Sequence, residues 1–284
     1  MLTTDTTLQL PTQRIAFALA SLLAAIACGG EPFQTTTVEI PTVTEVRFVD
    51  VTPQQWSALE SRRLLFGHQS VGSNIVQGIA EVLARHPELK LRVVEANPLD
   101  KSAQPGLYHA RIGQNGDPES KRTAFADLAD SIASDVAMMK FCYLDVDGRT
   151  DPNSLFAAYK REMTELRTRH PGLDIVHITM PLTDQGNWKE RLMKGLKRQA
   201  TARQLNRIRN RYNALLRDAY LGKEPVFDLA RLESTRDDGS RVFFLEQSEP
   251  IYYLAPELTD DGGHLNPAGR RIVSERFLAF LATL

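Results

Sequence analysis

Cysteine is nearly absent. The chain of 284 residues has two, Cys28 and Cys142, too few for a disulfide framework. No charge of one sign dominates: 34 Lys plus Arg stand against 35 Asp plus Glu, a net charge of -1. Nothing global therefore points to a nucleic-acid partner. The six histidines show no metal-ligand spacing, so no metal site is expected. Long apolar runs are scarce as well. The most continuous one, "RIAFALASLLAAIAC" at residues 14–28, falls short of the roughly 20 apolar residues a spanning helix needs. Internal repeats and a second break in composition are also missing. What remains is an ordinary globular composition, 42% hydrophobic and 24% charged, with ample material for a core.

The apolar run has the length of a signal-peptide hydrophobic region and follows Arg14. It ends in "AIACGG", small residues before a cysteine, similar to a bacterial lipobox. Ala25 stands where that motif usually has leucine. The expectation is a lipid-anchored protein of the bacterial envelope, on the periplasmic face or outer membrane, cut before Cys28 and lipidated there. A secreted protein is the alternative. Residues 29–51, rich in Thr, Pro and Glu, read as a linker, and residues 52–284 as one domain.

Within that domain apolar runs alternate with amphipathic segments. "RRLLFG", "LRVVEAN", "DVAMMKFCYLD", "LDIVHITMPL" and "PVFDLA" read as five strands. Ile75, Ile79, Val82 and Leu83 share one helical face. Asp117-Pro118, Asp151-Pro152 and Asn266-Pro267 each place a capping side chain before a proline at the first helical position. Residues 199–219 read as a long helix with Leu205, Ile208, Tyr212 and Leu215 inward, and the last helix buries Val273, Phe277, Phe280, Leu281 and Leu284. Strands that are apolar throughout, alternating with helices, predict a three-layer α/β/α fold with a mostly parallel five-stranded sheet. In such a sheet the chemistry lies just beyond the carboxyl ends of the strands.

The first strand ends in "GHQS", with Ser70 opening a helix. A serine hydroxyl needs a base in reach, and the base needs a carboxylate to fix its tautomer. "TDDGGHLNPAGRR" supplies Asp261 and His264, three apart in a glycine loop before the last helix. The bland alternative for Ser70 is a helix N-cap. Asp260, beside Asp261, is the competing acid.

These two blocks resemble the SGNH/GDSL hydrolases over about residues 60–284. The resemblance rests on a serine that follows the first strand and opens a helix, and on Asp-x-x-His in "DGGHLNPAGRRIVSERFLAFL". It implies a flavodoxin-like fold and a serine esterase in which Ser70 is the nucleophile, His264 the base and Asp261 its orienting acid, with no cofactor. It also implies an oxyanion site, with the backbone N–H groups of Ser70 and Gly113 as donors. The family's third block, Gly-x-Asn-Asp, corresponds here to "CYLD" at 142–145, with Leu144 in place of asparagine. Asn115 of "GQNG", or else Asn74, is the expected replacement, because losing one oxyanion donor costs roughly 3 kcal/mol. His68, Gln69, Asn74 and Asp145 are candidate substrate contacts. A small acyl ester, such as acetyl on a carbohydrate, is the implied substrate; acyl transfer and an inactive glycan- or protein-binding member are the alternatives.

Four features remain. Lys140, inside an apolar run, needs a carboxylate if buried; Asp145 is one candidate partner, and a strand-edge lysine with its amine in water is the alternative. "DVDGRTD" lacks the full spacing of a calcium loop. Residues 189–217 are rich in Lys and Arg, which reads as a solvated helix face or a contact with anionic lipid or polysaccharide. Cys142 reads as a buried core thiol.

Overall fold

A computed structural model describes residues 34–36, 46–96, 104–197 and 199–284. The leader at 1–28, with Cys28, lies outside the described residues, as does most of the 29–51 linker. In chain order the elements are β1 (Gln34–Thr36), α1 (Pro53–Glu60), β2 (Arg63–His68), α2 (Ser70–Arg85), β3 (Val93–Glu95), β4 (Gly106–Arg111), α3 (Pro118–Ser131) and β5 (Val136–Met139). They continue with α4 (Pro152–Arg169), β6 (Asp174–Ile178), α5 (Trp188–Leu196), α6 (Ala202–Tyr220), β7 (Val226–Phe227), α7 (Leu229–Glu233), β8 (Arg241–Glu246), β9 (Glu249–Tyr252) and α8 (Pro267–Ala282).

The central sheet has the order β3-β4-β2-β5-β6-β7, and each adjacent pair is parallel. It holds six strands, one more than the sequence suggests. The added strand, "GLYHAR", begins at a glycine and goes from buried Leu107 and Tyr108 to exposed Arg111, so it lacks the continuous apolar run that marks the others. A small antiparallel sheet, β1-β8-β9, is also additional. Its β8–β9 turn uses Gln247 and Ser248, both at positive φ (50° and 70°). The backbone thus makes a hairpin without the Asn-Gly or Asp-Gly signal that normally announces one.

Alternation along the strands divides the interior into two cores. Leu64 and Phe66 of β2, Val136 and Met138 of β5, and Val176 and Ile178 of β6 face the layer of α2, α7 and α8. Leu65, Ala137, Met139 and Ile175 face α3, α4 and α6. The three helices expected to start at Asp-Pro or Asn-Pro are capped as expected: Asp117 accepts from Ser120 N, Asp151 from Asn153 N and Ser154 N, and Asn266 from Gly269 N.

α6 departs from the expected apolar face. Leu205 and Leu215 are half-buried, whereas Asn206, Arg209 and Asn213 are buried. The cause is the irregular chain after β6, whose backbone polar groups need partners. Asn213 brackets Met180, accepting from its N at 2.7 Å and donating to its O at 2.8 Å. Asn206 brackets Thr183 in the same way at 3.1 and 2.8 Å. Among the described residues no helix is long and apolar enough to cross a membrane.

Candidate active site

The sheet order places β2 between β4 and β5, so the connections leaving these strands diverge to opposite sides and open a crevice at their carboxyl ends. Ser70 follows β2, Gly113 follows β4, and Cys142–Asp145 follows β5.

Ser70 does not cap its helix. Gln69 occupies the cap position, and no side chain accepts a cap bond there. Instead the Gln69 amide donates to the carbonyls of Ile112 and Gly113, each at 2.8 Å, tying the turn after β4 to the start of α2. Ser70, the first helical residue, is left with its hydroxyl 3.8 Å from Cys142 Sγ. Cys142 is buried, as expected, but it lies against the serine rather than only in the core. Gly113 has φ +53°, and a Cβ there would come within 2.5 Å of Lys121 N, so this tight approach to α3 admits glycine alone.

Asp145 is not placed to touch a substrate. Its carboxylate and the Lys121 amine form an ion pair with both side chains fully buried, at 2.6 and 2.7 Å. The same carboxylate accepts from Gly116 N at 3.0 Å and Cys142 N at 2.7 Å. It thereby fastens the turn after β4 to the turn after β5. Asn115 belongs to this network, its Oδ1 accepting from Lys121 Nζ at 2.9 Å; an amide held by its oxygen keeps its NH2 for another acceptor. Asp145 is taken by Lys121 and is not the partner of Lys140. Lys140 is buried and donates to the Phe141 carbonyl at 3.2 Å. Burial lowers its pKa to about 8, and burial raises that of nearby Glu233 to about 8.

His68 and Asn74 also have inward duties. His68 is buried, packs against Gly72 and meets His109, Nε2 to Nδ1, at 3.2 Å. Burial pushes its pKa down to about 3, so the imidazole is neutral. Asn74, one turn beyond Ser70 on α2, accepts from Leu265 N at 3.2 Å. That bond holds the loop of His264 against the helix of Ser70.

In that loop Asp261 Oδ2 lies 2.6 Å from His264 Nδ1, while Oδ1 accepts from His264 N at 2.7 Å and Gly263 N at 2.9 Å. The His264 backbone bond foremost, with the imidazole and Gly263 N–H, holds this carboxyl well below the usual range. Asp260 instead meets Asn266 Nδ2 at 3.3 Å. The Asp261 bond fixes Nδ1 as the donor and leaves Nε2 as a lone pair. That lone pair faces the Tyr143 hydroxyl at 3.3 Å.

Tyr143 is the residue that sequence reasoning missed. Its ring stands edge-on to His264, with centroids 5.7 Å apart, and a Cβ on Gly263 would lie 2.9 Å from it. Arg209, buried on α6, fixes its carbonyl through Nε at 3.2 Å and Nη2 at 2.8 Å. Burial raises the phenol to about 12, so it is a hydrogen-bond donor throughout the neutral range. The position after a strand-end cysteine was the only available signal. Ser70, Cys142, Tyr143, His264 and Asp261 thus converge on one edge, but Ser70 and His264 share no hydrogen bond in this structure. Beside them a groove of about 440 Å³ runs from Asp261, Gly262, Gly263 and Tyr143 to Leu144 and Lys194. In "DVDGRTD", Asp147 accepts from Arg149 N at 2.9 Å and Thr150 Oγ1 at 3.0 Å, and Asp151 caps α4.

No family model matches the sequence, and no curated protein matches it significantly. Solved structures do resemble it in chain path. A lipase/acylhydrolase from Enterococcus faecalis is 12% identical, with 78% of this chain and 96% of that one covered and a TM-score of 0.44. An acetyl xylan esterase is 15% identical, with 75% and 96% covered and a TM-score of 0.43. A carbohydrate esterase of family 3 from Talaromyces cellulolyticus is 13% identical, with 76% and 92% covered and a TM-score of 0.41. At such values function has to be argued from this chain's own residues.

Proposed function

We propose that the protein is a serine esterase of the SGNH type. The observation that carries this reading is the Asp261–His264 pair, 2.6 Å apart with Nε2 left as a lone pair, on the same edge as a serine that caps nothing. Tyr143 releases Nε2 when an ester enters, and the Ser70 hydroxyl takes its place. Ser70 Oγ attacks the carbonyl carbon while Nε2 removes its proton. Asp261 holds the imidazole in that tautomer and stabilises the imidazolium. The oxyanion is received by the N–H groups of Ser70 and Gly113 and by the Asn115 amide. His264 then returns the proton to the leaving alkoxide, and water, deprotonated by the same nitrogen, cleaves the acyl-enzyme.

The small residues that line the groove beside His264, Gly262 and Gly263, favour a short acyl group, with acetyl on an envelope carbohydrate as the substrate class we infer. The site of action follows from the leader: an anchor at Cys28 would hold the domain at the envelope. Hydrolysis of a short-chain chromogenic ester by wild type and Ser70→Ala tests the mechanism. Loss of turnover in the variant is expected, and equal rates would sink it.

One observation favours a second reading, a domain that binds without turnover. Nε2 is occupied by Tyr143, and the Ser70–His264 bond is open. A fluorophosphonate probe separates the two. Labelling of Ser70 supports the esterase, and silence of the folded protein supports the binding domain.

A further inference from the structure

Lys121 and Asp145 form a buried cluster to which the steps above give no role. A lysine amine has three N–H donors, and a carboxylate has about four acceptor sites. Lys121 Nζ directs its donors to Asp145 Oδ1 at 2.6 Å, Asp145 Oδ2 at 2.7 Å and Asn115 Oδ1 at 2.9 Å. Asp145 accepts from Lys121 and also from Gly116 N and Cys142 N, at 3.0 and 2.7 Å. Both ions are therefore fully satisfied, with their side chains out of solvent. A buried ion pair is a poor source of stability, because desolvation offsets the attraction. A closed polar network does fix geometry.

The turn at residues 113–116 is what this network holds. At one end, Gln69, next to Ser70, donates to the Gly113 carbonyl at 2.8 Å. At the other, Asp145 takes Gly116 N, and a Cβ on Gly116 would lie 3.8 Å from the Leu144 carbonyl oxygen. Asn115 is thus strung between the serine turn and the backbone of Leu144, the residue that stands where asparagine is expected. Lys121 also settles the sense of the Asn115 amide. An ammonium only donates, so the oxygen faces Lys121 and the NH2 is the half left for a ligand. Asn115 itself is exposed, while the amine that holds it is buried.

We propose that Lys121 and Asp145 are positioning residues for the esterase reaction, a clamp that presents the Asn115 NH2 to the oxyanion in place of the asparagine absent at Leu144. The inference rests on the esterase reading and extends it. Lys121 and Asp145 touch no reacting atom and act through Asn115.

Three variants of the full chain test this. Asn115→Asp keeps an oxygen for Lys121 and removes the NH2. It should lower kcat on a short-chain ester by roughly 10²-fold, the range for one lost oxyanion donor, with KM within about twofold of wild type. The paired variant Lys121→Met/Asp145→Asn removes both charges together, so no buried ion is stranded. It should lower kcat by roughly tenfold or more, again with KM little changed. Added to Asn115→Asp, the pair should cause no further loss, because it acts through an amide already removed. Losses that multiply, as a merely structural role would give, overturn the proposal. So does a paired variant with the kcat of wild type. The contact itself is read on Asn115→Asp alone, whether or not the paired variant folds. NMR titration should place the introduced carboxyl below its ordinary value of about 3.9, because Lys121 lies beside it; an ordinary value would overturn the clamp. Ser70→Ala separates this inference from the reading it rests on. If Ser70→Ala turns over as fast as wild type, both fall. If Ser70→Ala is inactive and Asn115→Asp is as fast as wild type, only the clamp falls.

Discussion

Two histidines in this fold have the same kinds of neighbour. His177 on β6 meets the Tyr159 hydroxyl through Nδ1 at 2.9 Å and Glu224 through Nε2 at 2.8 Å. His264 meets Asp261 through Nδ1 at 2.6 Å and Tyr143 through Nε2 at 3.3 Å. Tyrosine, histidine and carboxylate form a chain in both. The surroundings differ. The His177 side chain is fully buried and stacks on Tyr220 with centroids 3.5 Å apart. The His264 side chain is 41% exposed, on a loop at the carboxyl edge of the sheet. In the first chain both bonds are tight and no reactant can reach the ring. In the second the bond to the tyrosine is long, and the nitrogen it covers faces the crevice. A charge-assisted histidine is therefore not a site by virtue of its bonds; access to one nitrogen makes the difference.

The largest effect should come from deleting each ring. His264→Ala should lower hydrolysis of a short-chain ester by roughly 10⁴-fold, in the range for loss of a triad member. Its stability should stay close to that of wild type, because the side chain removed is 41% exposed. His177→Ala should do the reverse. It strands the buried Tyr159 hydroxyl and leaves a cavity beside Tyr220, while Glu224 keeps Arg167 as a partner, a cost of about 2–4 kcal/mol, and the folded fraction turns over normally. Denaturant unfolding and kcat measured on both variants check this. A His177 variant that is stable but inactive would show that burial does not separate the two histidines.

Acid sharpens the same contrast. Burial pushes the His177 pKa down from 6.5 to about 4, so the unfolded chain takes up this proton before the folded one does. The stability contributed is complete above about pH 6.5 and is lost as pH falls towards about 4, up to roughly 3 kcal/mol. His68, lowered to about 3, acts in the same direction. Unfolding of wild type and His177→Gln at pH 7 and at pH 4.5 measures the term. Wild type should lose more stability between the two, and parallel losses would show that His177 is not held neutral by the fold.

The sequence made one of these histidines visible and not the other, for a physical reason. Asp261 and His264 are three residues apart, so their bond is local and follows from spacing. Tyr159, His177 and Glu224 come from α4, β6 and the turn after α6, and only the assembled sheet brings them together. The same division runs through the fold. Strands with unbroken apolar runs and helices with Asp-Pro or Asn-Pro starts were legible. The strand "GLYHAR" and the Gln247-Ser248 hairpin were not, since neither carries its usual pattern. Asp145 was read as a substrate contact because it sits at a strand end, yet Lys121 on α3 draws it inward. Tyr143 carried no signal beyond its place after a strand-end cysteine, because its partner is 121 residues away.

The tyrosines give a smaller comparison. Tyr159→Phe removes a buried bond of 2.9 Å and should cost about 1–2 kcal/mol of stability, with activity retained. Tyr143→Phe should leave stability nearly unchanged and, by uncovering Nε2, raise fluorophosphonate labelling of Ser70 by roughly two- to fivefold, equivalent to at most about 1 kcal/mol. If Tyr143→Phe instead lost a thousandfold in turnover, its hydroxyl would belong to the transition state rather than to the resting base.

Asn74 should give the smallest effect, and it tests how the accessible histidine is kept in place. His177 is positioned by a strand and needs no outside support, whereas His264 depends on a loop. The Asn74 carbonyl, accepting from Leu265 N at 3.2 Å, is the bond that couples that loop to the helix of Ser70. Asn74→Ala should lower kcat several-fold, about what one lost hydrogen bond of ~1 kcal/mol implies, with KM unchanged because the groove residues are untouched. Asn74→Asp retains an acceptor for Leu265 N and should recover most of the loss. If Asn74→Ala raised KM instead, or if Asn74→Asp failed to rescue, the side chain would be acting on substrate directly and not through the position of His264.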